Sequence, residues 1–267
     1  MPASKRGYNL PRELRLATAM ILLASLAAAG AQPDRRQDFL AGRTHACPRC
    51  DLAGMNFKRR DLSGADLGGA NLTQANLHDA KLAGARLAGA DLSGANLNKA
   101  NLSRADLSGA TLRDAMLYAA NLDGAKLAGA DLTDARMGVA RLTRSDLSQA
   151  ILQNVDLRKA RLAEAILVGA NLDAAALDFA FLRAAQLGGA SLREARLTGM
   201  EAINASFAGA DLSDATASGA NFRDADLSHA LLAGTSFRHA NLYQAKLDGA
   251  VFRNTVMPDG TVTDRQP

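Results

Sequence analysis

The chain has 267 residues, of which 48% are hydrophobic and only 4% aromatic, with no tryptophan. This hydrophobic fraction excludes a disordered chain, but the apolar residues are mostly Ala and Leu, which argues against a conventional large core. The formal net charge of +4 divides into +5 for residues 1–50, zero for 51–257 and −1 for 258–267, so the charge gives no reason to predict a specific nucleic-acid partner.

The first 31 residues have the pattern of an export signal. An apolar run at residues 16–29 is followed by the small residues Ala29, Gly30 and Ala31, and it is preceded by four basic residues, Lys5, Arg6, Arg12 and Arg15. The run is shorter than the roughly 20 residues of a membrane-spanning helix. We therefore predict a signal helix cleaved before Gln32, no transmembrane span after cleavage, and a periplasmic or secreted protein. The alternative is an uncleaved membrane anchor.

Residues 32–50 are predicted to form a linker and an N-terminal cap that contains Cys47 and Cys50. In an oxidising compartment two such close thiols can form a disulfide, which would stabilise the cap. A thiol redox protein is the alternative, although no βαβ pattern surrounds the pair. Two cysteines supply only half of a zinc site, and Asp51 follows Cys50 where haem attachment needs a histidine. We predict no metal and no cofactor.

From residue 51 to 257 the chain is one internal repeat of five residues, as in DLSGANLNKANLSRADLSGATL at 91–112. The central position is Leu at most repeats, and the position two residues earlier is almost always Ala. Two inward residues separated by one outward residue form a short strand, and the two remaining residues suit a tight turn. Four such units would close one coil of 20 residues.

Residues 20 positions apart support this coil. Charges alternate in sign at that spacing in one series, Asp66, Arg86, Asp106, Lys126 and Asp146. Side-chain volume is also compensated at this spacing. The central position is Ala at only two repeats, Ala202 and Ala217, and the residues 20 positions later are Phe222 and Phe237. Both patterns are expected if residues n and n+20 stack.

These repeats resemble the pentapeptide repeat family. The resemblance implies an all-β fold, a right-handed quadrilateral parallel β-helix solenoid of about ten coils of 20 residues. The tail at 258–267 is too short and polar for the dimerising helix of some relatives, so a homodimer would have to form through the bare last coil. Some relatives protect DNA gyrase with a strongly acidic rod face, which the neutral repeat region of this chain lacks.

Two groups of outward side chains are candidate binding surfaces. A basic cluster suits a polyanion or anionic lipid, although Asp156 and Glu164 are expected to stack on two of its members; it contains Arg136, Arg141, Arg144, Arg158, Lys159 and Arg161. Apolar residues at positions that are usually polar suit a partner or self-association; these are Phe179, Phe181, Leu231 and Val251.

No catalytic constellation is evident in the repeats. His229 and His239 are ten residues apart, half a coil, so they are predicted to face opposite directions. We predict a non-catalytic, exported scaffold that binds an unknown protein or cell-envelope partner. The alternatives are the thiol redox protein at Cys47 and Cys50, and a cytosolic inhibitor or protector of a DNA-binding enzyme such as gyrase, which requires residues 1–31 to stay inside the cell.

Overall fold

The computed structural model describes residues 34–264, so the predicted signal segment and cleavage point lie outside the described residues. Helix α1 spans Arg35–Leu40, strand β1 spans Thr255–Val256 and strand β2 spans Val262–Thr263. Between α1 and β1 the chain forms single-residue parallel bridges separated by two-residue turns. No helix among the described residues is long and apolar enough to cross a membrane.

Every bridge between α1 and β1 joins residue n to residue n+20. Because a bridge recurs every five residues, the bridges form four rows. Row 1 runs from Ala46, row 2 from Asp51, row 3 from Asn56 and row 4 from Asp61, each in steps of 20. This is a parallel β-helix, and its register is the one expected from the charge and volume pairs. The ladder begins at Ala46, one repeat before the predicted start at 51.

The core consists of the central Leu and the preceding Ala of each repeat, which are almost fully buried along the rod. Polar residues that replace this Ala are also buried, and their hydroxyl groups are hydrogen-bonded. The Ser145 hydroxyl donates to the Leu142 carbonyl at 2.7 Å, and the Thr235 hydroxyl donates to the Leu212 carbonyl at 2.8 Å. These side chains fill the centre of the coil along the described residues, as expected of a close-packed protein interior.

The Asp or Asn that precedes the central Leu has a structural role that the sequence analysis missed. In repeat 91–95 four amides donate to backbone carbonyls, those of Asp91, Leu92, Gly94 and Ala95. The fifth amide, of Ser93, donates to Asp91 Oδ1 at 2.9 Å. Since an unpaired backbone amide is costly, this side chain completes the hydrogen bonding of the turn.

Replacing Asp91 by Ala is expected to lower the free energy of unfolding by about 1 kcal/mol, as the loss of a capping side chain does at a helix. The matched control is Asp91→Asn, which keeps an Oδ1 acceptor and should change stability much less. Urea unfolding measures both variants. Equal losses in the two variants would show that charge, and not the hydrogen bond to the Ser93 amide, is what matters.

Helix α1 covers the N-terminal end of the solenoid. It begins after Asp34, whose Oδ1 accepts hydrogen bonds from the Arg36 and Gln37 amides. The buried Phe39 ring packs edge-on against Phe57, with 6.0 Å between ring centroids. This apolar contact covers the first coil, whose strand edge would otherwise be open.

At the C-terminal end β1 and β2 form an antiparallel hairpin, with Thr255 paired to Thr263 and Val256 to Val262. Strand β2 therefore lies within the segment 258–267 that was predicted to be a tail. The hairpin covers only part of the last coil, because Leu242 and Leu247 remain partly exposed.

Candidate functional site

Cys47 and Cys50 lie at the start of the ladder, next to the turn at 48–49. Their sulfur atoms are 1.98 Å apart and form a disulfide. Cys47 takes a central position that Leu holds in later repeats and is fully buried, whereas Cys50 takes the Ala position and is partly exposed. A reactive thiol must be accessible to its partner, so only the Cys50 side of the bond is open to attack.

The described residues contain no cluster of three or more His, Cys, Asp or Glu side chains suited to a metal. The polar groove that includes Asp134, Arg136, Asp156 and Arg158 is open to solvent. The Arg158 guanidinium donates to both carboxylate oxygens of Asp156 at 2.8 and 2.7 Å and is the main cause of its lowered pKa. A carboxyl group held ionised in this way is unsuited to general-acid catalysis near neutral pH.

Hydroxyl groups in the turns lower the pKa of other carboxyl groups. The pKa values of Asp106 and Asp226 in row 1 are lowered chiefly by hydrogen bonds from the Ser108 and Ser228 side chains. The backbone amide of each Ser adds to the effect, since it also donates to the Asp. These carboxylates stabilise turns and do not form an acid–base pair.

We expect stability to decrease below about pH 4. A lowered folded pKa contributes stability in full above the unfolded value, about 3.9 for Asp, and that contribution disappears as the pH falls through the folded pKa. Asp106→Asn keeps the acceptor but does not titrate, so the stability advantage of the wild type over this variant should shrink between pH 5 and pH 2. Urea unfolding at several pH values measures this, and a constant difference would contradict it.

The basic cluster lies along rows 3 and 4 of successive coils, and half of it is neutralised. Arg141 pairs with Asp123, Arg144 with Glu164 at 2.8 Å, and Arg158 with Asp156 at 2.7 Å. The predicted stacking of Glu164 on Arg144 is present. Asp156 bridges Arg136 in the backbone ladder, as expected, but its carboxylate binds Arg158, because that side chain starts only two residues away.

The remaining cations of the cluster are Arg136, Lys159 and Arg161. All three are exposed, and no carboxylate of the described residues lies within salt-bridge distance of them. Arg161 bridges Phe181 in row 4, and Lys159 lines a shallow groove with Phe179 and Phe181. The unpaired cations therefore adjoin the exposed aromatic pair.

The four apolar candidates do not form one surface. Phe179 and Phe181 are 53% and 47% exposed and lie at the corner between rows 3 and 4. Leu231 and Val251 pair with each other in row 2, half a coil away, where Leu231 is 42% exposed and Val251 is less so. The structure thus separates the aromatic pair from the aliphatic pair.

Two more exposed apolar side chains lie at the same corner as Phe179, and the sequence analysis missed them. Tyr118 is 53% exposed and its ring lies over Gly138, with the ring carbon Cδ2 3.5 Å from where a Cβ on Gly138 would be. Val139, in the turn at the same corner of the next coil, is 41% exposed. Each is the one large exposed apolar side chain of its repeat, so only the register of the corner reveals that they align.

The sequence matches the family model described as pentapeptide repeats (8 copies), and the matched residues are 49–79, 75–114, 95–134, 140–178, 180–219 and 218–254. The chain belongs to the pentapeptide repeat family. The comparison with curated proteins gave no match. The family model describes a structural repeat, and no catalytic family is indicated for this pentapeptide repeat protein.

Solved structures of pentapeptide repeat proteins are similar to this chain. HetL, which is involved in heterocyst differentiation regulation in the cyanobacterium Nostoc sp. strain PCC 7120, is 31% identical with a TM-score of 0.70, over 86% of this chain and 98% of HetL. QnrB1, a plasmid-mediated fluoroquinolone resistance protein, is 22% identical with a TM-score of 0.48, over 61% and 91%.

A pentapeptide repeat protein from the Arabidopsis thaliana thylakoid lumen is 34% identical over 44% of this chain and 72% of its own, with a TM-score of 0.29. The likenesses to this protein and to QnrB1 have TM-scores below 0.5. HetL covers 86% of this chain and agrees with it in fold.

Proposed function

We propose that the protein is an exported, non-catalytic scaffold whose rod of repeats binds a protein or another component of the cell envelope. The observation that carries this proposal is the half-exposed pair Phe179 and Phe181, which interrupts a surface made largely of polar and ion-paired residues. Exposed aromatic rings on a filled, rigid rod are typical of a binding surface.

Export is supported by the signal pattern of residues 1–31 and by the proximity of Cys47 and Cys50, since disulfides persist in oxidising compartments. We also propose that the disulfide stabilises the N-terminal cap, and that the coil is the right-handed, four-sided form with about ten turns. Four rows of bridges at a spacing of 20 residues support that form.

Cell fractionation tests the proposal. The full chain is expressed in a bacterium, cytoplasm, periplasm and membrane are separated, and the mass of the product is measured. A soluble periplasmic product that starts near Gln32 is the expected result. An intact chain in the cytoplasm would overturn export and favour cytosolic partners, including DNA-binding enzymes.

A double Cys47→Ser and Cys50→Ser variant separates the scaffold from a thiol redox protein. The expected result is unchanged binding of the envelope partner and a slightly lower free energy of unfolding, because the disulfide closes only a very short loop. Loss of a thiol-dependent phenotype, with the fold intact by circular dichroism, would instead indicate redox chemistry at this pair.

A further inference from the structure

Exposed apolar side chains follow one corner of the rod, between rows 3 and 4. This surface, here called the aromatic edge, consists of Tyr118, Val139, Phe179 and Phe181 together with Lys159. Tyr118, Val139, Lys159 and Phe179 come from four successive coils. At about 4.8 Å per coil, they extend over roughly 14 Å along the rod.

Two of the three rings at this edge, those of Tyr118 and Phe179, pack over a glycine of the next coil. Phe179 leans over Gly199 of the next coil so closely that a Cβ there would lie 2.6 Å from Phe179 Cε1. Tyr118 packs less closely over Gly138, with its Cδ2 3.5 Å from where a Cβ on Gly138 would be. Both rings remain half exposed although each packs against the next coil, so part of their conformational freedom is lost before a ligand contacts them.

Positive charge surrounds the aromatic pair. Lys159, Arg161 and Arg183 are exposed, and among residues 34–264 no carboxylate is within salt-bridge distance of them. Two acidic side chains nearby are paired with other cations, Glu164 with Arg144 and Asp178 with Arg196 at 2.6 Å. Glu201 bridges Phe181 and accepts a hydrogen bond from the neutral Asn221 amide at 2.9 Å, so it keeps its negative charge. Three exposed cations against this one carboxylate leave the aromatic edge with a net positive charge.

We propose that the aromatic edge binds the anionic surface of a lipid bilayer, an inference that rests on the proposed role at the cell envelope. Phe179 and Phe181 would insert at the headgroup level while Lys159, Arg161 and Arg183 contact lipid phosphates. The groove at this edge is shallow and lined by only three residues, Lys159, Phe179 and Phe181. Two exposed rings beside cations suit the headgroup region of an anionic bilayer, which needs no enclosed pocket.

Co-sedimentation with vesicles tests this inference. The purified protein, in the form in which it accumulates in cells, is mixed with vesicles of phosphatidylglycerol and phosphatidylcholine or of phosphatidylcholine alone. Binding is expected only to the anionic vesicles and should weaken as salt is raised. No binding to anionic vesicles would overturn the inference and leave the aromatic edge for an acidic protein.

The aromatic variant is Phe179→Asn with Phe181→Asn. Asn already occupies the turn position of Phe179 at Asn154, with φ near +56°, and the row 4 position of Phe181 at Asn121, so the fold should tolerate both changes. Vesicle affinity should fall at least tenfold. The control is Leu231→Asn, an exposed apolar residue half a coil away, which should bind like the wild type; an equal loss would overturn the inference.

The charge variant is Lys159→Asn with Arg161→Asn, and each lost cation should weaken binding about fivefold. The control is Arg86→Asn with Lys126→Asn in row 1, which removes the same charge elsewhere. Equal losses in both pairs would mean non-specific attraction and contradict a defined site. The fractionation experiment tests the proposed function independently of the vesicle experiment. If the protein is exported but does not bind anionic vesicles, only the lipid-binding inference is wrong. If the intact chain stays in the cytoplasm, the proposed function is wrong.

Discussion

Replacing Phe39 by Ala is expected to destabilise the N-terminal end of the solenoid by about 3–5 kcal/mol, as truncation of a buried Phe usually does. Phe39 is buried against Phe57, and the Arg60 guanidinium lies 5.4 and 5.5 Å from the two ring centroids. Arg60 also donates a hydrogen bond to the Phe39 carbonyl at 2.6 Å. The substitution removes the ring that contacts both Phe57 and Arg60.

Hydrogen exchange measured coil by coil is the suitable readout, because repeat proteins can open from one end. The first coils should exchange much faster in Phe39→Ala, while coils near residue 200 should change little. The matched control is Arg43→Ala, which breaks an exposed ion pair with Asp38 and should cost less than 1 kcal/mol. Similar protection of the first coil in both variants would show that α1 does not cap the rod.

The register of the solenoid could be predicted from the sequence because every repeat has the same inward and outward positions. Large and small residues exchange places at a spacing of 20, as at Ala202 and Phe222, and the bridges have that spacing. The role of Asp and Asn could not be derived in this way. Their outward position suggested solubility alone, and only the hydrogen bonds show that Oδ1 satisfies a turn amide.

An N-terminal cap was expected at 32–50, but the helix and strands at the ends of the rod were not predictable, because these elements depend on tertiary contacts. Helix α1 has six residues and one buried side chain, Phe39, so it has no amphipathic period and is too short to be stable alone. Strand β2 is two residues of an otherwise polar tail and forms only against β1. Likewise, the sequence suggested Phe179 and Phe181 as candidates but missed Tyr118, because the 20-residue register places it at the same corner without showing how exposed its ring is.

Ala202→Leu and Phe222→Leu are expected to destabilise the rod singly and to compensate each other when combined. Both positions are fully buried, and the Ala202 amide donates to the Asn221 carbonyl of the next coil at 2.8 Å, which stacks the two levels. Ala202→Leu adds volume beneath a ring and should cost about 1–3 kcal/mol. Phe222→Leu leaves space above a small residue and should cost about 1–2 kcal/mol.

The double variant restores Leu over Leu, the arrangement of most other coils, so a double-mutant cycle should give a favourable coupling of about 1–3 kcal/mol. Phe222 also touches Phe207 and Phe237, with centroids 5.5 and 5.6 Å apart, so part of its contribution will not be recovered. Ala202→Leu with Phe57→Leu is the control, since these two buried positions lie about seven coils apart and share no neighbour, and it should be additive within about 0.5 kcal/mol. Additivity in both cycles would mean that the Phe222 ring does not fill the space above Ala202.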